Sequence, residues 1–126
     1  MKVHGKLTRT DIEKAVSYAE DFAKKWGAAQ TDCLKVRLMT EEVLLIYQDS
    51  FDEDSKFVFR MCKNPAKLCY TITIGGTSLD PTTEKNPFTE ILGLFKKDNN
   101  NFTWQYEQNR NQISFTIPIH TTSILL

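Results

Sequence analysis

Apolar and polar positions along the chain switch between two periods. Val3, Gly5 and Leu7 alternate with polar neighbours, a weak edge-strand signal over Met1 to Leu7. Ile12, Val16, Ala19, Phe22 and Ala23 then recur at helical spacing. Thr10 with Glu13 fits a capping box, and Gly27 after Lys24 and Lys25 fits a helix end, so a first helix is predicted over about residues 11–26. A second helix starts after Thr31 and Asp32, carries Leu34, Leu38, Met39, Glu42, Leu45 and Ile46, and ends near Asp49 and Ser50. It is the most apolar helix of the chain, which predicts the deepest packing on a sheet.

Period two returns at Lys56 to Lys63, where Phe57, Phe59 and Met61 alternate with Val58, Arg60 and Cys62. It continues at Lys67 to Ile74, where Leu68, Tyr70, Ile72 and Ile74 alternate with Cys69, Thr71 and Thr73. Asn64, Pro65 and Ala66 make the turn between these strands. Gly75 and Gly76 end the strand and open a polar loop. Pro87 then suits the first turn of a short helix with a stripe of Phe88, Ile91, Leu92 and Phe95, ending at Lys96 and Lys97. Phe102, Trp104 and Tyr106, followed by Ile113, Phe115, Ile117 and Ile119, predict a second hairpin reversed through Asn109, Arg110 and Asn111.

The element order is β, α, α, β, β, α, β, β. Hairpins with one apolar face bury that face against helices and wet the other. The expected fold is therefore a two-layer α/β sandwich, with a mixed, mostly antiparallel sheet of four to five strands and three helices on one face. The helices should cover Phe57, Leu68, Tyr70, Ile72, Ile113, Phe115 and Ile117. The 126 residues with 40% apolar content fit a single domain over 1–126, and no internal repeat or linker interrupts them.

Charge and cysteine content narrow the chemistry. Sixteen basic and 16 acidic residues give zero formal charge, which argues against binding nucleic acid by phosphate neutralisation. The longest apolar run, Val43 to Tyr47, is far short of the roughly 18–20 residues that cross a bilayer, and the polar start from Met1 to Lys6 does not read as a signal peptide. The expectation is a cytoplasmic protein with no membrane contact. Three cysteines without a CxxC pair indicate neither a disulfide framework nor a zinc site. Cys62 and Cys69 fall opposite each other if their strands pair, so a cross-strand bridge is geometrically conceivable, but free thiols are the expectation in a reducing compartment. His4 and His120 read as surface residues.

The order of elements, with the segments Thr40 to Ile46, Ile72 to Pro81, Asn86 to Phe95 and the closing hairpin Phe102 to Phe115, resembles the GHKL, or histidine kinase-like, ATPase superfamily (Bergerat fold). Within it the chain is most similar to the small kinase-like anti-sigma factors and the ATPase domains of histidine kinases. The resemblance implies an N-box helix at Glu42 and Ile46, a strand and loop under the adenine at Gly76 and Asp80, and a phosphate-covering segment near Phe88. Glu42 matches the family's candidate general base and Gly76 its adenine-side glycine. Ile46 stands where the family places a magnesium-holding Asn, and Ile74 with Gly75 replaces the Asp that binds the adenine amino group. Gly93 is the single glycine of the lid segment, and neither a GxG doublet nor a P-loop pattern occurs.

A base without a metal or phosphate clamp has little to activate, because phosphoryl transfer depends on positioning and charge stabilisation. The resemblance with these departures implies a regulatory protein-binding module of the ATPase fold that has lost ATP binding and catalysis. It needs no metal or cofactor, and its partner is a protein such as a sigma factor or an anti-anti-sigma-type regulator. One alternative is an active anti-sigma-type serine/threonine kinase using ATP and magnesium. Another is a structural or dimerisation domain of a larger protein, suggested by the apolar end Ile124, Leu125 and Leu126, and forming a homodimer. Other features have plainer readings: Glu42 as the edge of a buried helix face, Asp80 with Pro81 as a turn, Gly75 and Gly76 as a strand break, and Phe102, Trp104 and Tyr106 as core or interface rather than a base-stacking platform.

Overall fold

A computed structural model of the chain describes residues 1–83 and 102–119. Five strands and two helices follow the order β1 (Lys2–Lys6), α1 (Arg9–Lys25), α2 (Gln30–Ser50), β2 (Lys56–Lys63), β3 (Lys67–Gly75), β4 (Thr103–Glu107) and β5 (Arg110–Pro118). The strands form one sheet in the order β1-β2-β3-β5-β4. Every neighbouring pair is antiparallel, which corrects the expected mixed sheet. The architecture is α+β, with two helices among the described residues rather than three. The third expected helix, from Pro87 to Lys97, lies outside the described residues, as do Phe88, Gly93, His120 and the segment 124–126.

Alternation governs the sheet. Along β2, β3 and β5 the buried apolar residues are Phe57, Phe59, Met61, Leu68, Tyr70, Ile72, Ile74, Ile113, Phe115 and Ile117, and with buried Asn111 of β5 they take every second position of each strand. The Tyr70 ring stacks between Phe59 and Phe115 at centroid distances of 5.8 and 5.1 Å, and its hydroxyl donates to the Ala19 carbonyl of α1 at 3.2 Å. That bond crosses the layers and satisfies the one polar atom the ring brings into the core. The opposite face, with His4, Arg60, Thr71, Thr73 and Gln112, is open to solvent or half-buried.

Helix α1 starts two residues earlier than its pattern suggested. The N-cap is Thr8, whose hydroxyl accepts from the Asp11 N–H at 3.2 Å, while Asp11 accepts from the Lys6 N–H at 2.8 Å. The cap is thus Thr8 and not Thr10 with Glu13, and the Asp11 carboxylate reaches past the N-cap to the strand that enters the helix. Buried Ile12, Ala15, Val16, Ala19 and Ala23 form its inner stripe.

Helix α2 buries part of the expected stripe, Met39, Glu42 and Ile46, but not Leu34 or Leu38. Cys33, Val36, Met39, Thr40, Val43, Leu44, Ile46 and Tyr47 face inward, whereas Leu34 is 55% exposed and Leu38 lies on the same outer face. Several registers of so apolar a helix look equally plausible from spacing alone, and the packing against α1 and the sheet selects one. Truncation separates the two faces: Leu44→Ala should cost about 2–5 kcal/mol of unfolding free energy and Leu34→Ala no more than about 0.5 kcal/mol, measured by denaturant titration.

Candidate functional site

Of the residues singled out from the sequence, Gly76 and Asp80 lie where β3 leaves the sheet, beside the end of α2. Antiparallel pairing places Ile74 opposite Asn111 and Gly75 opposite Arg110, so the chain emerges beside the turn of the second hairpin. That turn is Gln108 and Asn109, both with positive φ (53° and 60°), the left-handed backbone of a two-residue hairpin loop. It lies one residue earlier than the expected reversal through Asn109, Arg110 and Asn111. Gly76 has φ +134° and donates its N–H to the Asn109 carbonyl at 3.0 Å. Tyr106 of β4 donates to the Gly76 carbonyl at 2.7 Å.

Asn111 organises the loop that follows. It is fully buried, and its side-chain amide donates to the Thr77 carbonyl at 2.8 Å and the Ile74 carbonyl at 3.4 Å. Its Oδ1 accepts from the Leu79 N–H at 2.9 Å and from Trp104 Nε1 at 3.1 Å. Backbone polar groups outside a regular ladder need other partners, and this one amide supplies three of them, along with the Trp104 indole. The sequence gives Asn111 as part of a hairpin turn; its role depends on partners from residues 74–79, more than thirty positions away, to which no short motif refers.

From the other side, the end of α2 closes onto the same loop. The hydroxyl of fully buried Tyr47 donates to the Leu79 carbonyl. Burial, followed by the charge of Asp80, pushes the Tyr47 phenol far above its ordinary range, with a hydrogen bond involving Trp104 acting the opposite way. Phe51 packs edge-on against Tyr47 at 5.4 Å, and a Cβ built on Gly76 would lie 2.8 Å from the Phe51 ring. The close approach that the bare glycine permits is therefore taken by the protein's own aromatic ring.

Asp80 is held locally. Its Oδ1 accepts from the Thr82 N–H at 2.9 Å and the Thr82 hydroxyl at 2.7 Å, and its carbonyl accepts from the Thr83 hydroxyl at 2.9 Å. Ile46 is 1% exposed and sits in the hydrophobic core. Glu42, one turn before it on α2, is 4% exposed, and its Oε2 has no hydrogen-bond partner among the described residues. Burial, and then the neighbouring Glu41 charge, raises its pKa. Among the described residues no three His, Cys, Asp or Glu side chains converge as a metal site. The structure thus joins Gly76 and Asp80 to the end of α2 through Tyr47 and Phe51, while Ile46 is part of the core.

Comparisons with protein-family models and with curated proteins find no match for this chain.

Two predictions follow from the loop and from the buried carboxyl. Asn111→Ala strands two carbonyls and two N–H donors and should lower unfolding free energy by about 3 kcal/mol in denaturant titrations. For Glu42, the raised folded-state pKa means that the folded protein keeps the proton to higher pH than the unfolded chain, whose ordinary value is 4.5. Its contribution to stability therefore falls as pH rises from about 4.5 through the raised value, and stays lowered above it. Glu42→Gln should be more stable than the parent at neutral pH, with the advantage fading as pH approaches 4.5, read from denaturation midpoints across the pH series.

Proposed function

We propose that this chain is a regulatory protein-binding module of the histidine kinase-like ATPase fold that works without binding or hydrolysing ATP. The observation that carries this reading is the packing at the end of α2. Ile46, at the position where the resemblance puts a magnesium ligand, contributes only hydrocarbon to the core. A hard cation needs oxygen ligands, which an isoleucine cannot supply. The Phe51 ring meets the Gly76 position where the resemblance puts adenine, and Tyr47 ties the loop to the helix. These residues do not fit a magnesium–nucleotide site, and no step of a reaction is assigned to one.

A protein partner accords with the outer surface of the helices, where Tyr18, Trp26, Leu34 and Leu38 are exposed large hydrophobic residues. Leu34 and Leu38 stand one turn apart on the same face of α2 and form an apolar ridge among charged residues. In this reading the partner is a sigma factor or an anti-anti-sigma-type regulator, and the protein acts in the cytoplasm. No described helix is long and apolar enough to cross a membrane.

One observation favours the alternative of an active serine/threonine kinase. Glu42 is a buried carboxyl with a raised pKa, the property expected of a general base. Titration of the full chain with magnesium-ATP in a calorimeter decides between the two. The proposed function predicts no heat of binding up to millimolar nucleotide and no release of phosphate, whereas saturable binding at micromolar concentration defeats it.

A further inference from the structure

The open face of the sheet carries a pair of thiols that packing does not explain. Cys62 of β2 and Cys69 of β3 are direct cross-strand partners. Residues facing each other in an antiparallel ladder lie about 4.5–5.5 Å apart at Cα, within the roughly 4.4–6.8 Å range that a disulfide spans. Both side chains stand on the face opposite the helices, since Met61, Leu68 and Tyr70 beside them are the buried positions. Cys62 is exposed and Cys69 half-buried, whereas Cys33 is buried, with its thiol donating to the Ala28 carbonyl at 3.7 Å. Cysteine is among the most buried residue types, so two facing cysteines on a wet sheet face call for an account other than core packing.

Their surroundings indicate what reacts there. Burial raises the Cys69 pKa, the adjacent Cys62 raises it further, and Lys67 lowers it. Asn64 donates its side-chain amide to the Cys69 sulfur at 3.7 Å. Arg60 and Lys67 each lie two residues before one of the cysteines and so share their face, and Lys2 stands opposite Arg60. A thiol pair flanked by cations favours an approaching anionic disulfide.

We propose that Cys62 and Cys69 are a reversible redox site, a dithiol that closes to an intramolecular disulfide by exchange with a small anionic disulfide of the glutathione class. The exposed Cys62, as thiolate, attacks one sulfur of the oxidant. The oxidant's S–S bond breaks, and one glutathione leaves as a thiolate that takes up a proton. Cys69 then loses its proton, attacks the Cys62 sulfur of the mixed disulfide and expels the second glutathione. The protein gives up two electrons and two protons, and the oxidant is reduced to two thiols.

The test uses the full chain, first reduced and then equilibrated over a series of oxidised-to-reduced glutathione ratios, acid-quenched and alkylated. The expected product has lost two hydrogens in mass and has one free thiol in place of three. Trypsin cutting after Lys63 and Lys67 separates the two cysteines, so the linked peptides identify the bridge. Cys69→Ser should stop at a glutathione adduct on Cys62, and Cys62→Ser should react about tenfold more slowly or less. A parent protein that stops at the adduct, stays reduced at ratios that oxidise a reference dithiol, or links through Cys33 or a second molecule overturns the proposal.

Discussion

The pairing of β3 with β5 is the constraint on which the rest of this molecule depends. The two strands are separated in sequence by residues 76–109, yet they run antiparallel in register from Lys67 opposite Pro118 to Gly75 opposite Arg110. A slip of one residue would turn the moving strand's set, Phe115 and Ile117 of β5 or Tyr70 and Ile72 of β3, from the core to the wet face, so the burial of one face holds the register strongly. The same register sets Asn111 opposite Ile74, where its amide reaches the loop after β3. What is hydrophobic patterning along the strands becomes hydrogen-bond geometry at their ends.

That geometry explains how an irregular segment is anchored to the core. Residues 75–78 are exposed, Ile74 is buried and Leu79 half-buried, and Asn111, Tyr47 and Tyr106 supply hydrogen-bond partners to this stretch from three different elements. The anchors themselves, Asn111 and Tyr47, are buried, where an unmade hydrogen bond is costly. The aromatic contact of Phe51 with Tyr47 and its approach to Gly76 add dispersion to the polar frame. The result is a loop held from both sides, by the end of α2 and by the second hairpin.

How much of this could be read from the sequence follows from the range of the interactions involved. The hairpins were legible because period two is local: β2 spans Lys56–Lys63 as the alternation indicates, and β3 extends the expected strand only to Gly75. The start of α1 was misplaced because Thr8 and Thr10 both offer a hydroxyl three residues before an acid, and the entering strand, through the Lys6 N–H, decides between them. Leu34 and Leu38 were assigned to the buried stripe because helical spacing defines a set of faces without saying which one meets the sheet. Of the candidate site, Glu42, Gly76 and Asp80 could be named, but Tyr47, Phe51 and Asn111, which meet residues 74–79, could not. Their partners lie far away in sequence and their residue types are ordinary in a helix, a helix end and a hairpin.

Glu42 stands apart from this pattern of satisfied contacts, together with Thr40 two residues before it, whose buried hydroxyl also has no partner among the described residues. Glu42 shares a face of α2 with Ile46, one turn away, and the two positions are buried to nearly the same degree. Hydrocarbon at Ile46 is what such a site favours, whereas a carboxyl there loses hydration, and Oε2 gains no described hydrogen bond in return. Several other buried polar side chains are used: Asn111 fixes the loop, Tyr70 spans the layers and Tyr47 joins helix to loop. Local preference, pattern and polar satisfaction agree nearly everywhere in this fold, and places where they disagree are those where function most often resides. In α2 the disagreement is confined to Thr40 and Glu42, two positions half a turn apart whose polar atoms are buried with no described partner, while Met39, Val43 and Leu44 around them pack as the rest of the core does.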